Sequence, residues 1–395
     1  MSDHGEFITQ SQQVRNAGVL SSWFPRWAWN TAANFQHIRR EFLEEEHLDY
    51  ALFRHHKKHK GPAMIVGAGP SFDKAAPLLK KWKGAIFAPE SMAHTCAYYG
   101  RVPEFIGLYD AHPAVWDNHF EGYDFSESTL LTHPAVAEKA IELFPGPRIY
   151  YTMLHIPQPD YSVFHPNMQL KEMYTIVKRQ QFGSDFFEDI NPILFPYIGA
   201  SILNSGCVVN NMIQCAHYMG YDPLVLSGVD FGYAGGWDRC TGWHMTDGEW
   251  VKKPNSRTED NGRAIRVAEN GVQTSEEQIE YKIAMMAVYG VDKPNLIDCS
   301  DGIVTELPKY PVEEVIKKRA RGYKKLTDRE KETISKTFLD KMDGLSAEHL
   351  EKERKGLALV QTEDKTETEV INGGPAETTL EVIKEPEDAV VGGEA

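Results

Sequence analysis

From residue 62 onward, short apolar runs alternate with segments whose apolar residues follow helical spacing. The apolar runs lie at 63–66, 85–88, 105–109, 130–131, 149–151, 224–227 and 295–299. Helical patterns separate them, including 73–82, 92–99 and 205–219, and 275–289 has a capping-box spacing at its start. This alternation is typical of a parallel sheet covered by helices on both faces, so we predict a Rossmann-like, doubly wound α/β fold with a mostly parallel sheet.

The pattern changes on both sides of this central region, which we place at 61–310. Residues 1–60 predict an N-terminal helical segment, with one helix from Asn34 to His59, and residues 311–355 predict a second helical segment. Within the central region, 145–200 is rich in Pro and aromatic residues and has weak periodicity, which favours a lid or a small inserted subdomain. An aromatic cluster near the N-terminus favours core or subunit packing, so a homo-oligomer is one expectation; its members are Trp23, Phe24, Trp27 and Trp29.

The charge of the chain is unevenly distributed. The formal net charge is −15, and residues 361–395 contain ten acidic residues and two lysines. This stretch has no aromatic residue and cannot bury enough apolar surface to offset its chain entropy, so we predict a disordered acidic tail over 356–395. The remainder is close to balanced, which disfavours general binding to duplex DNA.

Cysteine usage and hydropathy indicate the compartment. The five cysteines form no CxxC pair, which argues against a disulfide framework and a structural zinc site. The sequence has no apolar run of about 18 residues and no apolar segment near its start, so it predicts neither a membrane span nor a secretory signal. We expect a cytoplasmic protein with reduced thiols.

The turn after the first predicted strand is the strongest local motif. It reads Gly67-Ala68-Gly69-Pro70-Ser71 and leads into a helix. Glycines let the backbone approach a ligand closely, and unpaired amides at the start of a helix attract phosphate. The motif is neither the full GxGxxG fingerprint nor a Walker loop, so a tight strand-to-helix connection without a ligand stays open.

Polar residues also follow the other predicted strands. Glu90 and Ser91 come after the second strand, where a polar group can reach a ribose hydroxyl. Asp110 ends the third, where a carboxylate can hold Mg²⁺ beside phosphates or take a proton from a hydroxyl group. Ser205 and Gly206 open a predicted helix and form a second candidate anion site.

The predicted strand at 224–227 is also followed by residues that could contact a ligand. Gly228, Val229 and Asp230 follow it directly, and Tyr233 adds an aromatic ring. His244 lies in a predicted flexible loop and is a candidate mobile general base, since histidine titrates near neutral pH. Turn-capping aspartates and an exposed loop histidine are the alternative interpretations.

These motifs together resemble the MptE-like superfamily. The resemblance rests on the turn at 67–71, on the strand that ends at Asp110, and on Ser205 and Gly206 followed by 220–231, and it covers roughly residues 35–310. That superfamily includes archaeal 6-hydroxymethylpterin diphosphokinases and the Maf motility accessory proteins, which transfer nonulosonic acids to flagellin. The same motifs are similar to those of bacterial sialyltransferases, which use CMP-sialic acid and have a Rossmann-like fold.

The resemblance implies a role for each motif. The turn at 67–71 would lie along the phosphates of a nucleotide, Ser205 and Gly206 would hold its base or phosphate, and Gly228 and Asp230 would line its ribose or base. His244 stands where the sialyltransferase-like members place a general base. Ala68 replaces the asparagine of the sialyltransferase glycine loop, which is a departure from CMP recognition.

We therefore expect a nucleotide-dependent transferase, foremost a glycosyltransferase that moves a sugar from a CMP-, UDP- or CDP-linked donor to an acceptor hydroxyl. In this reaction, His244 or Asp110 would take the proton. Pyrophosphoryl transfer from ATP, with Mg²⁺ on Asp110 and Asp230, is the second interpretation, and a non-catalytic scaffold is the third. The acceptor stays open among a protein, a glycan, a modified nucleobase and a small molecule.

Overall fold

The apolar runs of the sequence become the strands of one parallel sheet. The computed structural model describes residues 26–27, 29–41, 50–154, 198, 201–203, 207–258 and 265–338. The strands of the sheet are β1 (Ala63–Val66), β2 (Ala85–Pro89), β3 (Phe105–Leu108), β4 (Thr129–Thr132), β5 (Arg148–Tyr150), β8 (Leu224–Ser227) and β13 (Leu296–Asp298). Their order across the sheet is β13-β8-β1-β2-β3-β4-β5. The predicted Rossmann-like fold is confirmed.

The direction of strand addition reverses between β1 and β8. Strands β1 to β5 add in sequence toward one edge, and the chain then returns to place β8 on the other side of β1. Ala63 of β1 therefore pairs with both Ala85 of β2 and Leu224 of β8. Ligands of open α/β sheets bind beyond the carboxyl ends of the strands at such a switch point, which here lies after Val66 and Ser227.

Short helices connect the strands. They are α1 (29–41), α2 (Phe72–Ala75), α3 (Glu90–Tyr98), α4 (Val115–His119), α5 (Glu138–Leu143), α6 (Val208–Met219), α7 (Glu276–Asp292), α8 (Val312–Lys317) and α9 (328–338). A 3₁₀ helix, Ala76–Lys81, continues α2. Three two-stranded sheets complete the described elements: parallel β6 (Thr152–Leu154) and β7 (Ser201–Leu203), antiparallel β9 (Trp243–Thr246) and β10 (Glu249–Lys252), and antiparallel β11 (Arg266–Val267) and β12 (Gln273–Thr274).

Alternating side chains of the sheet supply the cores on its two faces. Ile65 packs with α6 and α7 on one face, whereas its neighbours Met64 and Val66 pack with α2, α3 and α8 on the other. A third cluster joins α1, α4 and α5 to the outer strands β3, β4 and β5. Both faces of the sheet are covered, which explains why its strands are continuous apolar runs.

One predicted helix differs from the structure. The sequence predicts a helix from Asn34 to His59, but helical residues are found at 29–41 and in a 3₁₀ helix, Leu52–His55, with 42–49 outside the described residues. Ala51 has an extended backbone because it bridges to Tyr150 of β5. An α-helix therefore does not continue through this position.

Several predictions fall on residues that are not described. These are the greater part of the proposed lid, Ser205 and Gly206, and the acidic tail. The described residues all belong to one compact unit, Met1–Ser346, and no residue of the second unit, Ala347–Ala395, is described. The five cysteines are described, and each is a free thiol.

Candidate functional site

The two turns at the switch point touch each other. Gly67 donates its N–H to Ser227 O at 2.8 Å, and Gly69 donates to Gly228 O at the same distance. A Cβ atom on Gly67 would overlap Gly228 O, and one on Gly69 would lie 2.7 Å from that oxygen. The approach of the second turn therefore explains why both positions of the first are glycine.

Asp230 ties the two turns together. Its side chain is 1% exposed, and Oδ2 accepts a hydrogen bond from Ser71 N at 2.9 Å while Oδ1 accepts one from Ser71 Oγ. Burial raises the pKa of Asp230, and the hydrogen bonds from Ser71 act in the opposite direction. Both carboxylate oxygens are thus engaged inside the protein.

These contacts determine which backbone amides of the turn at 67–71 are available to a phosphate. Unpaired amides at 67–71 were expected to bind phosphate, but Gly67, Gly69 and Ser71 each donate their N–H to residues 227–230, and Pro70 has no N–H. These three donors join the turn after β1 to the turn after β8. They are therefore not available to a phosphate in this arrangement.

Glu90 and Asp110 lie beyond the carboxyl ends of the adjacent strands β2 and β3. Oε2 of Glu90 is buried and has no hydrogen-bond partner among the described residues. The pKa of Glu90 is raised to about 7, mainly by burial and to a smaller extent by the nearby charge of Asp110, whereas a hydrogen bond from its own backbone and the charges of Arg239 and Lys253 act in the opposite direction. Asp110 itself is exposed, and its Oδ1 accepts a hydrogen bond from His112 N at 2.8 Å.

A two-stranded segment, residues 237–257, crosses this edge of the sheet; we call it the ribbon. It consists of β9, β10 and their flanks, which are joined by a bridge between Trp237 and Arg257. Cys240 donates its N–H to Ala68 O at 2.9 Å, and Lys253 Nζ donates to Ser91 O at 3.2 Å. The ribbon therefore covers the glycine turn and the start of α3.

His244 lies in the ribbon and not in the flexible loop that the sequence suggested. It belongs to β9, pairs with Val251 of β10, and places Nε2 3.5 Å from Thr246 Oγ1. The hairpin turns at Asp247 and Gly248, both with positive φ. An Asp-Gly pair between alternating residues is a strong hairpin signal, so the sequence did contain the information for this element.

The ribbon packs against α3 through aromatic and polar contacts. The ring of Trp243 stacks on that of Tyr98 with ring centroids 3.9 Å apart, and the backbone N–H of Trp243 donates to Thr95 Oγ1 at 3.0 Å. Met245 N donates to Nδ1 of His94, which is 2% exposed. Burial lowers the pKa of His94 to about 4 and that of His119 to about 3.

Four of these charged or titratable residues have no motif in the sequence. They are Arg239, Lys253, His94 and His119. Lys253 interacts electrostatically with Glu90, His94 and His119, and Arg239 with Glu90, His119 and Lys253. Their proximity depends on how the ribbon folds over α3, which no local pattern encodes.

A cavity of about 620 Å³ opens beside the base of the ribbon, next to the loops that follow β8 and β13. Among the described residues it is lined by Tyr233, Ala234, Gly235, Gly236, Arg257, Thr258, Gly271, Val272, Gln273 and Asp301. Tyr233 is the one lining residue that the sequence singled out, and its hydroxyl donates to Ser275 Oγ at 3.2 Å. Val229 is held at the same edge, where its N–H donates to Ser300 Oγ at 3.0 Å.

The described residues contain no group of three or more His, Cys, Asp or Glu side chains that could hold a metal ion. Asp230, expected to share Mg²⁺ with Asp110 in the kinase interpretation, has both carboxylate oxygens hydrogen-bonded to Ser71. The charge of Asp110 acts on the carboxyl group of Glu90 and raises its pKa. Among the described helices, none has the length and apolar character that crossing a membrane requires.

Comparisons with known proteins found one matching family and distant structural similarities. No curated protein sequence matches the chain. The Maf glycosyltransferase from Magnetospirillum magneticum AMB-1 has 15% sequence identity and a TM-score of 0.39, covering 75% of this chain and 41% of that one. The sialyltransferase CstII from Campylobacter jejuni, solved with the substrate analogue cytidine-5'-monophosphate, has 15% identity and a TM-score of 0.29, covering 64% of this chain and 86% of that one.

The chain thus spans about two fifths of the length of the Maf glycosyltransferase, with 41% covered. The sequence profile of the family described as "6-hydroxymethylpterin diphosphokinase MptE-like" matches residues 30–236. This match includes the glycine turn, Glu90, Asp110 and the turn after β8. The chain therefore belongs to the MptE-like family.

Proposed function

We propose that this protein is a nucleotide-dependent transferase, and specifically a glycosyltransferase that moves a sugar from a nucleotide-sugar donor to an acceptor hydroxyl. The observation that carries the proposal is the cavity of about 620 Å³ next to the β1–β8 switch point. Its volume lies within the range of about 300–1,000 Å³ that is usual for small-molecule sites. The switch point supplies the expected place for the nucleotide.

The lining of the cavity suits a ligand with many hydroxyl groups. Arg257, Thr258, Gln273 and Asp301 offer hydrogen-bond donors and acceptors, and the aromatic ring of Tyr233 supplies an apolar wall. Three glycines, Gly235, Gly236 and Gly271, add no side chains to the wall, and Ala234 and Val272 add small apolar ones. The sugar of the donor would occupy this cavity, while Gly228 and Val229 would line the nucleoside.

In the proposed reaction, the acceptor oxygen forms a bond to the anomeric carbon and the bond from that carbon to the phosphate oxygen breaks. The phosphate leaves with the electron pair, and a base takes the proton of the acceptor hydroxyl. Asp110 is the candidate base, because its carboxylate is exposed at the end of β3. His244 is the second candidate, carried by the hairpin of the ribbon.

Pyrophosphoryl transfer from ATP is a second candidate function. The description of the matched family favours it, and so does the proximity of the carboxyl groups of Glu90 and Asp110. The Mg²⁺ that such a reaction requires would be held by Asp110 with Glu90, since Asp230 is committed to Ser71. The ion would neutralise charge on the transferred group when bound.

A ligand panel separates these functions. We expect CMP-, UDP- or CDP-sugars to raise the melting temperature without added metal, and Asp110→Ala to preserve that shift because Asp110 acts on the acceptor. A shift with ATP alone, dependent on Mg²⁺ and lost in Asp110→Ala, would establish the kinase function instead. Asp124→Ala is the matched control, since Asp124 is exposed and accepts a hydrogen bond from Ser126 N as Asp110 does from His112 N. If no nucleotide or nucleotide-sugar changes the melting temperature, the transferase proposal fails and a scaffold remains.

A further inference from the structure

The ribbon brings two cations to the same place above the carboxyl edge of the sheet. Asp238 N donates to Ser256 O at 3.0 Å, and Lys253 N donates to Gly242 O at 2.8 Å, so the two flanks run side by side. Arg239 is fixed between these contacts because its N–H donates to Asn255 Oδ1 at 3.2 Å. Arg239 and Lys253 therefore come from opposite flanks of one ribbon and lie close enough to interact electrostatically.

Both cations lie next to the elements already assigned to the switch point. Cys240, which follows Arg239, is hydrogen-bonded to Ala68 of the glycine turn. The ammonium group of Lys253 reaches the first turn of α3, where Ser91 O accepts its hydrogen bond. The N-terminal end of α3, a helix of nine residues, adds positive potential at this position.

The charges of these two residues are poorly compensated within the described part of the chain. Lys253 makes a hydrogen bond to a carbonyl group there but no ion pair, and burial together with Arg239 lowers its pKa. The ion pair that Arg239 makes with the described residues is to its neighbour Asp238, whose carboxylate lies 4.0 Å away. Lys253 is partly buried and Arg239 is exposed. Like charges repel each other, and an anion placed between them would relieve that repulsion.

Glu90 interacts electrostatically with both cations and is a further candidate for an internal counter-ion, but its surroundings do not support that role. An ion pair with Lys253 would hold the pKa of Glu90 below its usual range, but burial raises it to about 7. Oε2 of Glu90 is buried with no hydrogen-bond partner among the described residues. A neutral Glu90 could donate a hydrogen bond from this oxygen to an anion held by the two cations.

We propose that Arg239 and Lys253 form an anion subsite, shared with Glu90 and the start of α3, that binds the phosphate or diphosphate of the nucleotide ligand. This inference rests on the proposed function for the identity of the ligand. The subsite would supply positive charge next to the turn at 67–71, where the N–H groups of Gly67, Gly69 and Ser71 are hydrogen-bonded to 227–230. It would also stabilise the charge that develops on the leaving phosphate.

The test measures binding of inorganic pyrophosphate to the full chain by titration calorimetry. Arg239→Gln and Lys253→Met remove one positive charge each, and Lys253→Met keeps the apolar stem that covers Gly242. Each variant should weaken pyrophosphate binding by about tenfold or more, as expected for a lost hydrogen bond to a charged group. Lys252→Met is the matched control, since Lys252 is the exposed neighbour on β10, and it should leave binding within about twofold.

The same variants distinguish this subsite from the proposed function. The nucleotide that stabilises the protein most should lose affinity in both variants, whereas the corresponding nucleoside, which has no phosphate, should not. Unchanged pyrophosphate binding in both variants, or none in the wild-type protein, would overturn the subsite even if nucleotides bind. Pyrophosphate binding that depends on Arg239 and Lys253, in a protein that no nucleotide stabilises, would support the subsite and contradict the proposed function. If Lys253→Met does not fold, Arg239→Gln decides, because Arg239 has a side chain that is 61% exposed.

Discussion

At the residue scale, the carboxyl group of Glu90 links the stability of the fold to pH. Its pKa of about 7 in the folded protein is above its ordinary value of 4.5. A group with a raised folded pKa contributes stability that is fully present below the unfolded pKa and is lost as pH rises through the folded one. The relevant window for Glu90 is therefore pH 4.5 to 7.

We predict that Glu90→Gln removes the loss of folding stability that ionisation of Glu90 causes as the pH rises. The variant should melt at a higher temperature than the wild-type protein at pH 8, and the difference should shrink toward pH 5. One pKa unit corresponds to about 1.4 kcal/mol, so the effect amounts to at most a few kcal/mol. Glu121→Gln, at an exposed position, serves as the control. A difference between variant and wild type that does not change from pH 5 to pH 8 would contradict the prediction.

The contact between the turn after β1 and the turn after β8 leads to a second prediction at the residue scale. Gly67→Ala would place a Cβ atom against Gly228 O, a backbone atom that cannot rotate away. We expect a loss of about 3 kcal/mol or more in the free energy of unfolding, measured by urea denaturation. Ala68→Ser is the control within the same turn, since Ala68 already carries a Cβ atom. Similar stability of the two variants would show that the turns separate easily.

Single residues also show which features of the site the sequence could predict. The motif identified Gly67 and Gly69 correctly as positions without room for a side chain, but the neighbour that fills the space is Gly228 and not a ligand. That neighbour is more than 150 residues away in the sequence, so no local pattern could show it. For the same reason, the pairing of Ser71 with Asp230 could be seen only in the fold.

At the element scale, strands and well-capped helices could be predicted, whereas irregular connections could not. The predicted strand at 224–227 is confirmed, as is the helix that starts after Ser275. Buried parallel strands give continuous apolar runs, and a capping residue marks a helix start, so both signals are local. The predicted helix from Asn34 to His59 failed at Ala51 because that residue pairs with a strand from another part of the chain.

The N-cap of α7 permits a test at this scale. Ser275 Oγ accepts a hydrogen bond from Gln278 N and a second one from the hydroxyl of Tyr233, which lines the cavity. Ser275→Ala should lower the free energy of unfolding by about 1 kcal/mol, the usual value for a lost N-cap. Ser256→Ala, at an exposed position, should change it by much less. Equal urea midpoints for the two variants would mean that the cap contributes nothing measurable.

At the scale of the whole molecule, the net charge of −15 is a poor guide to the site. The segment after Leu359 contributes −8 through ten acidic residues and two lysines, whereas the edge of the sheet at the switch point gathers Arg239 and Lys253. An acidic protein can therefore bind an anionic ligand. The local field depends on which side chains the fold brings together, and interactions beyond about 10 Å are screened by salt.

A truncation tests this separation of charge. Removing the residues after Leu359 should leave the stabilisation by nucleotides, and the affinity for pyrophosphate, within about twofold of the full chain. The physical reason is that all described residues of the proposed site precede that point. A loss of more than tenfold in either measurement would show that the acidic segment takes part in binding.

The return of the chain from β5 to β8 sets a condition on synthesis. During translation, the glycine turn at 67–71 leaves the ribosome about 160 residues before its partner, Asp230, has been made. Until β8 arrives, one edge of β1 lacks its neighbour, and a nascent chain that ends before residue 224 contains half of the switch point. The site is therefore completed late in synthesis, and premature termination in this interval would leave a long-range pairing unmade and an unpaired strand edge exposed to association.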